Sequence, residues 1–319
     1  MKKHIDIVTP CYNEVECVTS FFSEVSRVLS DIGGYTFTVY YIDDGSSDGT
    51  LDEIKKLASL HEEDKIRYVS FSRNFGKEAA IYAGLKSTTG DIVVLMDTDL
   101  QHPPSMLPEM IKVIENGYDS CATHRKQRKG ESPLRTLFSK AFYKLFNLIS
   151  DIKIDASATD FRMMTRKMVD AVVSIGETER FTKGLFQWVG FETKLIVCES
   201  VPRTAGTSKW RFRNLFKYAI DGIVAFSTAP LRLATFAGFL VFVAGIIYAI
   251  HVFIAAVFHG RSGGGFVTTV LLLLFIGGII IMLLGIVGEY IARIYLETKR
   301  RPIFLVRDTN ISEGEKNDR

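Results

Sequence analysis

Asp97 and Asp99 are the residues best placed to do chemistry, and they close the apolar run in DIVVLMDTDLQHPP, residues 91–104. Read as a buried strand over 91–99, the segment turns both acids to one side, because residues i and i+2 share a face. Two carboxylates at one spot repel and raise one another's pKa. A bound cation removes that conflict. Carboxylates are hard oxygen donors suited to Mg²⁺ or Mn²⁺, ions that also take substrate phosphate oxygens. Such an ion stabilises a departing diphosphate. A D-x-D alone is short and common, so its surroundings decide between a metal site and a solvated loop.

A second acid pair, Asp43 and Asp44, opens DDGSSDGT at residues 43–50. A capped turn accounts for Ser46 to Thr50, with Asp48 placed to cap the next helix. It leaves the two leading acids unexplained, and a ribose or a base ring N–H is their natural partner. The six histidines show no metal spacing. Nor do Cys11, Cys17, Cys121 and Cys198 show metal or redox spacing, and packing in a reducing cytosol accounts for them.

The elements that must hold these acids alternate. HIDIVTP reads as an apolar strand ended by Pro10, and a helical pattern follows from Val15 to Leu29, with apolar residues at i, i+3 and i+4. Strand FTVYYIDDGS, helix 51–60, strand IRYVSFS, helix 78–87, strand 91–99 and helix 105–116 come next. Strands alternating with helices predict an α/β, Rossmann-like, mostly parallel sheet with helices on both faces. Ligands of such sheets bind outside the carboxyl ends of the strands. Those ends carry TPCYNE (9–14), DDGSSDGT, SRNFGKE (72–78) and DTD.

The net charge is +3 over 319 residues, too weak to argue for nucleic acid as a partner. Neither Leu233–Phe258 nor Phe266–Gly288 holds an acid, Lys or Arg. Each exceeds the roughly 20 apolar residues that a helix needs to cross hydrocarbon. Arg211, Arg213, Lys217 and Arg232 precede the pair and Arg293, Lys299, Arg300 and Arg301 follow it, against Arg261 in the short loop between. The expectation is a multi-pass protein of the inner (plasma) membrane, with its large N-terminal part and its tail cytoplasmic. MKKHIDIVTP lacks the apolar run of a signal peptide. Glu289 and Arg293, four apart, read as a helical pair.

Two basic, aromatic-rich segments precede the spans. Residues 134–149 repeat apolar side chains at helical spacing beside Arg135, Lys140 and Lys144, and Trp210–Phe226 do so beside Arg211, Arg213 and Lys217. Helices lying on a membrane surface are one reading. Core-packed helices with a solvated basic face are the other. VPRTAGTSKW (201–210) is either a flexible linker or a loop that closes over phosphate groups with Arg203 and Lys209.

TPCYNE, DDGSSDGT, SRNFGKEAAIYAGL and VVLMDTDLQHPP together resemble the family-2 inverting glycosyltransferases of GT-A fold. ATDFR (158–162), ERFTKGLFQWVGF (179–191), VPRTAGTSKW and FSTAPLR (226–232), with two spans after them, narrow the resemblance. It is to the polyprenyl-phosphate branch, the dolichol-phosphate mannose synthases and the bactoprenol glucosyltransferases of the GtrB type. The resemblance implies a nucleotide-sugar pocket of Pro10, Tyr12, Glu14, Asp43 or Asp44, Lys77 and Asp97. It also implies Asp99 as principal metal ligand beside Asp97, and Asp160 at the reacting centre. Arg125, Arg135, Ser139 and Arg203 would take the acceptor phosphate.

The expected reaction is transfer of one sugar from a UDP-sugar to undecaprenyl phosphate at the cytoplasmic membrane face, with Mg²⁺ or Mn²⁺. Glucose is the first expectation for that sugar, N-acetylglucosamine or another hexose the alternative. A processive polysaccharide synthase would need more spans and a Q-x-x-R-W signature, where this chain has only Gln187 and Trp188. A non-catalytic adaptor that binds nucleotide-sugar fits the intact acids poorly. The expected layout is a catalytic domain over 1–209, a juxtamembrane helix over 210–231, two spans within 232–292 (233–258 and 266–290) and a tail over 293–319. The sequence leaves the oligomeric state, including a homo-oligomer, open.

Overall fold

The computed structural model describes residues 2–61, 65–125, 144, 146–150, 152–155, 158–198, 222–259 and 265–312. Its strands are β1 (Lys3–Cys11), β2 (Tyr35–Asp43), β3 (Ile66–Phe71), β4 (Ile92–Leu95), β5 (Ser120–Arg125), β6 (Ala158–Thr165), β7 (Thr193–Cys198) and β8 (Val306–Thr309). The helices are α1 (Val15–Ser30), α2 (Thr50–Leu60), α3 (Lys77–Ser87), α4 (Leu107–Glu115), α5 (Arg166–Ser174), α6 (Thr182–Trp188), α7 (Ala229–His259) and α8 (Phe266–Thr298).

One sheet joins all these strands in the order β7-β5-β6-β4-β1-β2-β3-β8. β4, β1, β2 and β3 run parallel at its centre, and β5 pairs parallel with β7. β6 is antiparallel to β4 and β5, and β8 is antiparallel to β3. Alternating side chains divide the core in two, as a pleated strand buried on both faces requires. Ile92 and Val94 pack with α1, α2 and α4 on one side. Val93 and Leu95 pack with α3, α5 and α6 on the other. The α/β, mostly parallel reading therefore holds.

Three expectations about local structure need correction. β4 spans only four residues, Ile92–Leu95, so the DTD acids stand in the turn beyond it and not in the strand. Asp48 stands one residue before the N-cap of α2, Gly49, whose φ is 91°. It still accepts hydrogen bonds from the Thr50 amide at 3.1 Å and hydroxyl at 2.5 Å. The helix placed over 105–116 starts as a 3-10 turn, Pro104–Met106, before α4.

α7 and α8 have 31 and 33 residues, about 46 and 50 Å at 1.5 Å per residue. Both are long and apolar enough to cross a membrane, and their apolar stretches are almost wholly exposed. Beyond α8 the chain returns to the sheet. Asn310 Oδ1 accepts from the Tyr68 amide at 2.8 Å, Phe304 stacks on Phe71 with centroids 4.9 Å apart, and Lys55 pairs with Asp308 at 2.5 Å. The expected pair Glu289–Arg293 is present at 3.8 Å.

Candidate active site

Backbone register creates the site. β4 and β6 pair antiparallel from Ile92↔Thr165 to Leu95↔Arg162. Continued by two residues, that register sets Asp97 across from Asp160. Two acids opposite each other need a cation between them, and Lys77 at the first turn of α3 supplies it. Its Nζ lies 2.7 Å from Asp97 Oδ1 and 2.9 Å from Asp160 Oδ2. Lys183 in α6 approaches Asp160 Oδ1 at 3.7 Å from the other side.

The electrostatics follow from that bridge. Burial pushes the Asp160 carboxyl up, but Lys77 and then Lys183 outweigh it and hold Asp160 well below the usual carboxylate range. Burial likewise pulls the Lys77 ammonium down, and Asp160 and Asp97 together hold it above its ordinary value. Asp160 is therefore a carboxylate at neutral pH and a poor proton acceptor.

Thr98 is fully buried and ties the DTD turn to β1, with its hydroxyl 3.0 Å from Thr9 Oγ1 and donating to Pro10 O at 3.2 Å. Leu100 at φ 54° and the Gln101 amide, which donates to Asp99 Oδ1 at 3.1 Å, complete the turn. Asp97 and Asp99 both act on Glu14. Burial first and then these two acids push the Glu14 carboxyl up to about 7, against a hydrogen bond with Thr98. Glu14 Oε2 is buried without a hydrogen-bond partner. An orphaned carboxylate oxygen facing two further acids is a place a cation would relieve. Among the described residues no three His, Cys, Asp or Glu side chains stand close enough to hold an ion by themselves. Mg²⁺ commonly takes one or two carboxylates and completes its shell with substrate phosphates.

Asp43 and Asp44 reach the edge of the cleft with their oxygens already committed. Asp43, 0% exposed, accepts from the Ser46 amide at 2.9 Å and from the Ser70 hydroxyl at 2.6 Å. Asp44, 4% exposed, accepts from the amides of Phe75 at 2.6 Å and Gly76 at 2.9 Å. They hold the cleft wall and aim the loop that delivers Lys77. Gly45 follows them at φ 68°, where a Cβ would collide with the Arg73 backbone, so only glycine fits. Tyr12 is 39% exposed, and Pro10 is half-buried.

Four residues that place the site carry no assignment in the sequence reading. Asn13, at φ 53°, accepts from the Ser47 amide at 2.9 Å, and its own amide donates to Ser46 Oγ at 2.9 Å. Its signal was the tolerance of Asn for the left-handed region in a strand-to-helix turn. Glu78 accepts from the amide of Thr182 at 2.9 Å and from its hydroxyl, which fixes the start of α6. Lys183 belongs to ERFTKGLFQWVGF and buried His102 to VVLMDTDLQHPP. His102 lies 3.7 Å from Cys198 Sγ and 5.6 Å, centroid to centroid, from Phe161.

Of the acceptor residues, Arg135, Ser139 and Arg203 lie outside the described residues, and Arg125 is described only as backbone at the end of β5. So do most of the two basic segments and the 201–210 loop. At the described ends of those segments, Phe146 is fully buried in a cluster with Phe181, Ile152 and Ile154, against which Ile223 and Phe226 sit, while Leu148 is 80% exposed.

Residues 6–173, which contain every acid of the cleft, match the family described as Glycosyl transferase family 2. The chain belongs to that family. It is a glycosyltransferase of GT-A fold. Residues 229–294, α7 and most of α8, match the GtrB C-terminal hairpin. The putative glycosyltransferase CsbB of Bacillus subtilis (strain 168) is 43% identical over 307 residues, 96% of this chain and 92% of that protein. The bactoprenol glucosyl transferase of Shigella phage SfX is 37% identical over 303 residues, 95% of this chain and 98% of that protein. A solved glucosyl-3-phosphoglycerate synthase from Mycobacterium tuberculosis aligns with 70% of this chain and 78% of its own, at 19% identity and TM-score 0.47. The family-2 assignment rests on the sequence matches.

Proposed function

We propose that this family-2 transferase moves a single hexose from a UDP-sugar to undecaprenyl phosphate at the cytoplasmic face of the plasma membrane, with inversion. Glucose is the first candidate for the sugar. The observation that carries the reading is a transferase cleft and two exposed apolar helices of membrane-crossing length in one chain, the second helix tied back to the catalytic sheet by β8. That tie keeps the cleft beside the bilayer, where a lipid-linked acceptor has to arrive. The named activity of the phage SfX relative supports a bactoprenol acceptor.

In this reading Tyr12, Pro10 and Glu14 form the donor lip, over a wall held by Asp43 and Asp44. Asp97 and Asp99, with donor phosphate oxygens, would hold a divalent cation, Mg²⁺ or Mn²⁺, which would stabilise the charge of the departing diphosphate. Lys77 neutralises the carboxylates on the side facing Asp160. The acceptor is a phosphate monoester with a second pKa near 6, by analogy with phosphoserine, and is largely dianionic at neutral pH. It needs no strong base, and Asp160, held ionised by two lysines, is not one. Asp160 therefore orients Lys77 and Lys183 at the reacting centre and stabilises positive charge as it develops on the sugar ring. Arg125, Arg135, Ser139 and Arg203 are assigned to the acceptor phosphate, with the bilayer holding the polyprenyl chain.

The test is a panel: purified full-length protein, undecaprenyl phosphate and each of several UDP-sugars with Mg²⁺ or Mn²⁺. Release of UDP that requires the lipid phosphate, with one preferred sugar, supports the reading. Release indifferent to the lipid overturns it.

A further inference from the structure

α8, at about 50 Å, is longer than a hydrocarbon core of about 30 Å. The charged residues Glu289, Arg293 and Glu297 crowd its last turns, so this end projects from the bilayer toward the catalytic domain. There it meets one loop. Arg293 Nη1 lies 3.1 Å from Glu179 Oε2, and Glu297 Oε2 accepts from the Thr178 amide at 3.0 Å.

Four residues after Glu179 the same stretch of chain reaches Asp160 through Lys183. Arg180 is buried, donates to Val172 O at 3.1 Å and to Ile175 O, and lies over the Tyr82 ring at 4.4 Å. Phe181 packs in the cluster of Phe146 and Phe226. Thr182 is held by Glu78, the neighbour of Lys77, and Lys183 reaches Asp160. A cavity of about 340 Å³, lined by Glu78, Arg180, Phe181 and Arg293 among others, separates α3 from the helix end. Beside that cavity, Arg293 and Glu297 join the helix end to the loop by polar bonds.

We infer that Arg293 and Glu179 form a strut through which the membrane helix sets the position of Lys183 beside Asp160, making Arg293 a positioning residue for transfer. The inference rests on the membrane-anchored reading above. Although the Arg293 side chain is only 16% exposed, the Glu179 side chain is 47% exposed, so water screens the pair and its own energy is small. Its effect is on geometry, and a small misplacement of a group at the reacting centre costs rate much more than stability.

The experiment is a double-mutant cycle on the full-length protein in lipid vesicles, with Glu179→Gln, Arg293→Gln, both together, and Arg293→Lys. Each single Gln variant is expected to lower kcat for lipid glycosylation about tenfold, with KM for the UDP-sugar within about twofold. The double variant should be no slower than either single one, because both break the same link. Arg293→Lys should keep half or more of the rate, and thermal midpoints should stay with wild type. The cycle is repeated on the slow hydrolysis of UDP-glucose by water, which uses the cleft but not the lipid. Non-additive losses in hydrolysis without any lipid transfer by wild type would overturn the acceptor assignment and keep the strut. Unchanged kcat, additive losses, or losses that follow a lowered thermal midpoint would overturn the strut.

Discussion

Lys77 and Asp160 are 83 residues apart in the chain and 2.9 Å apart in the structure. The contact ties the first turn of α3 to β6, which runs antiparallel to both its neighbours, β4 and β5. It completes a three-part bridge, Asp97–Lys77–Asp160, in place of a pair of acids alone.

Lys77→Met leaves two carboxylates facing each other without their cation, although 40% of the Lys77 side chain meets solvent and water softens the repulsion. Transfer should fall about a hundredfold or more, the scale for removing one preorganised charged group from a reacting centre. Lys77→Arg should restore part of it. Steady-state rates for the three proteins decide, and near-wild-type activity of Lys77→Met would remove Lys77 from the mechanism.

Asp99→Asn keeps shape and removes charge from the proposed cation site. Transfer should disappear while circular dichroism and the thermal midpoint stay unchanged. Wild type should lose activity in EDTA and regain it with Mg²⁺ or Mn²⁺. Full turnover in chelator would exclude a metal role for the DTD turn.

Glu14 gives a stability signature. Its carboxyl sits at about 7 in the fold against an ordinary 4.5, so between those values the folded state holds a proton that the unfolded chain has released. Stability in chelator should therefore fall as pH rises across that window and level off above it. Glu14→Gln should remove this part of the slope. Thermal melts from pH 4 to 8 test the sign, and a wild-type slope equal to that of the variant would contradict it.

Topology can be read with reporters. One fused after Arg319 should report cytoplasm and one at Ser262 the exterior, since basic residues flank the helix pair and only Arg261 lies between. β8 agrees, because it brings the chain after α8 back to the catalytic sheet. A cytoplasmic reading at Ser262 would contradict the two-span arrangement.

The central strands were legible because runs such as Ile92–Met96 and Val39–Ile42 are apolar throughout, which marks strands buried on both faces. α1 was legible from its 3.6-residue spacing. β8 was not: Val-Arg-Asp-Thr is a short, charged edge strand, and only its pairing with β3 makes it one. The strand expected to carry Asp97 and Asp99 ends at Leu95, and the two acids stand instead in a turn pinned by Thr98. Asp160 came from resemblance alone, because its proximity to Asp97 depends on the antiparallel register of β6. Lys183 and Glu78 stayed unassigned for the same reason. Their partners lie 23 residues away, at Asp160, and 104 away, at Thr182, and nothing in local spacing marks such contacts.

The most direct measurement supplies the purified full-length protein with labelled UDP-glucose and either undecaprenyl phosphate or free undecaprenol, then follows the label into the lipid phase. Label should enter the lipid only with undecaprenyl phosphate. Mass spectrometry should find one hexose per lipid, and NMR should find an inverted anomeric centre. Label that enters undecaprenol equally well, that appears as longer sugar chains, or that stays in water as free glucose would contradict single-sugar transfer to a polyprenyl phosphate.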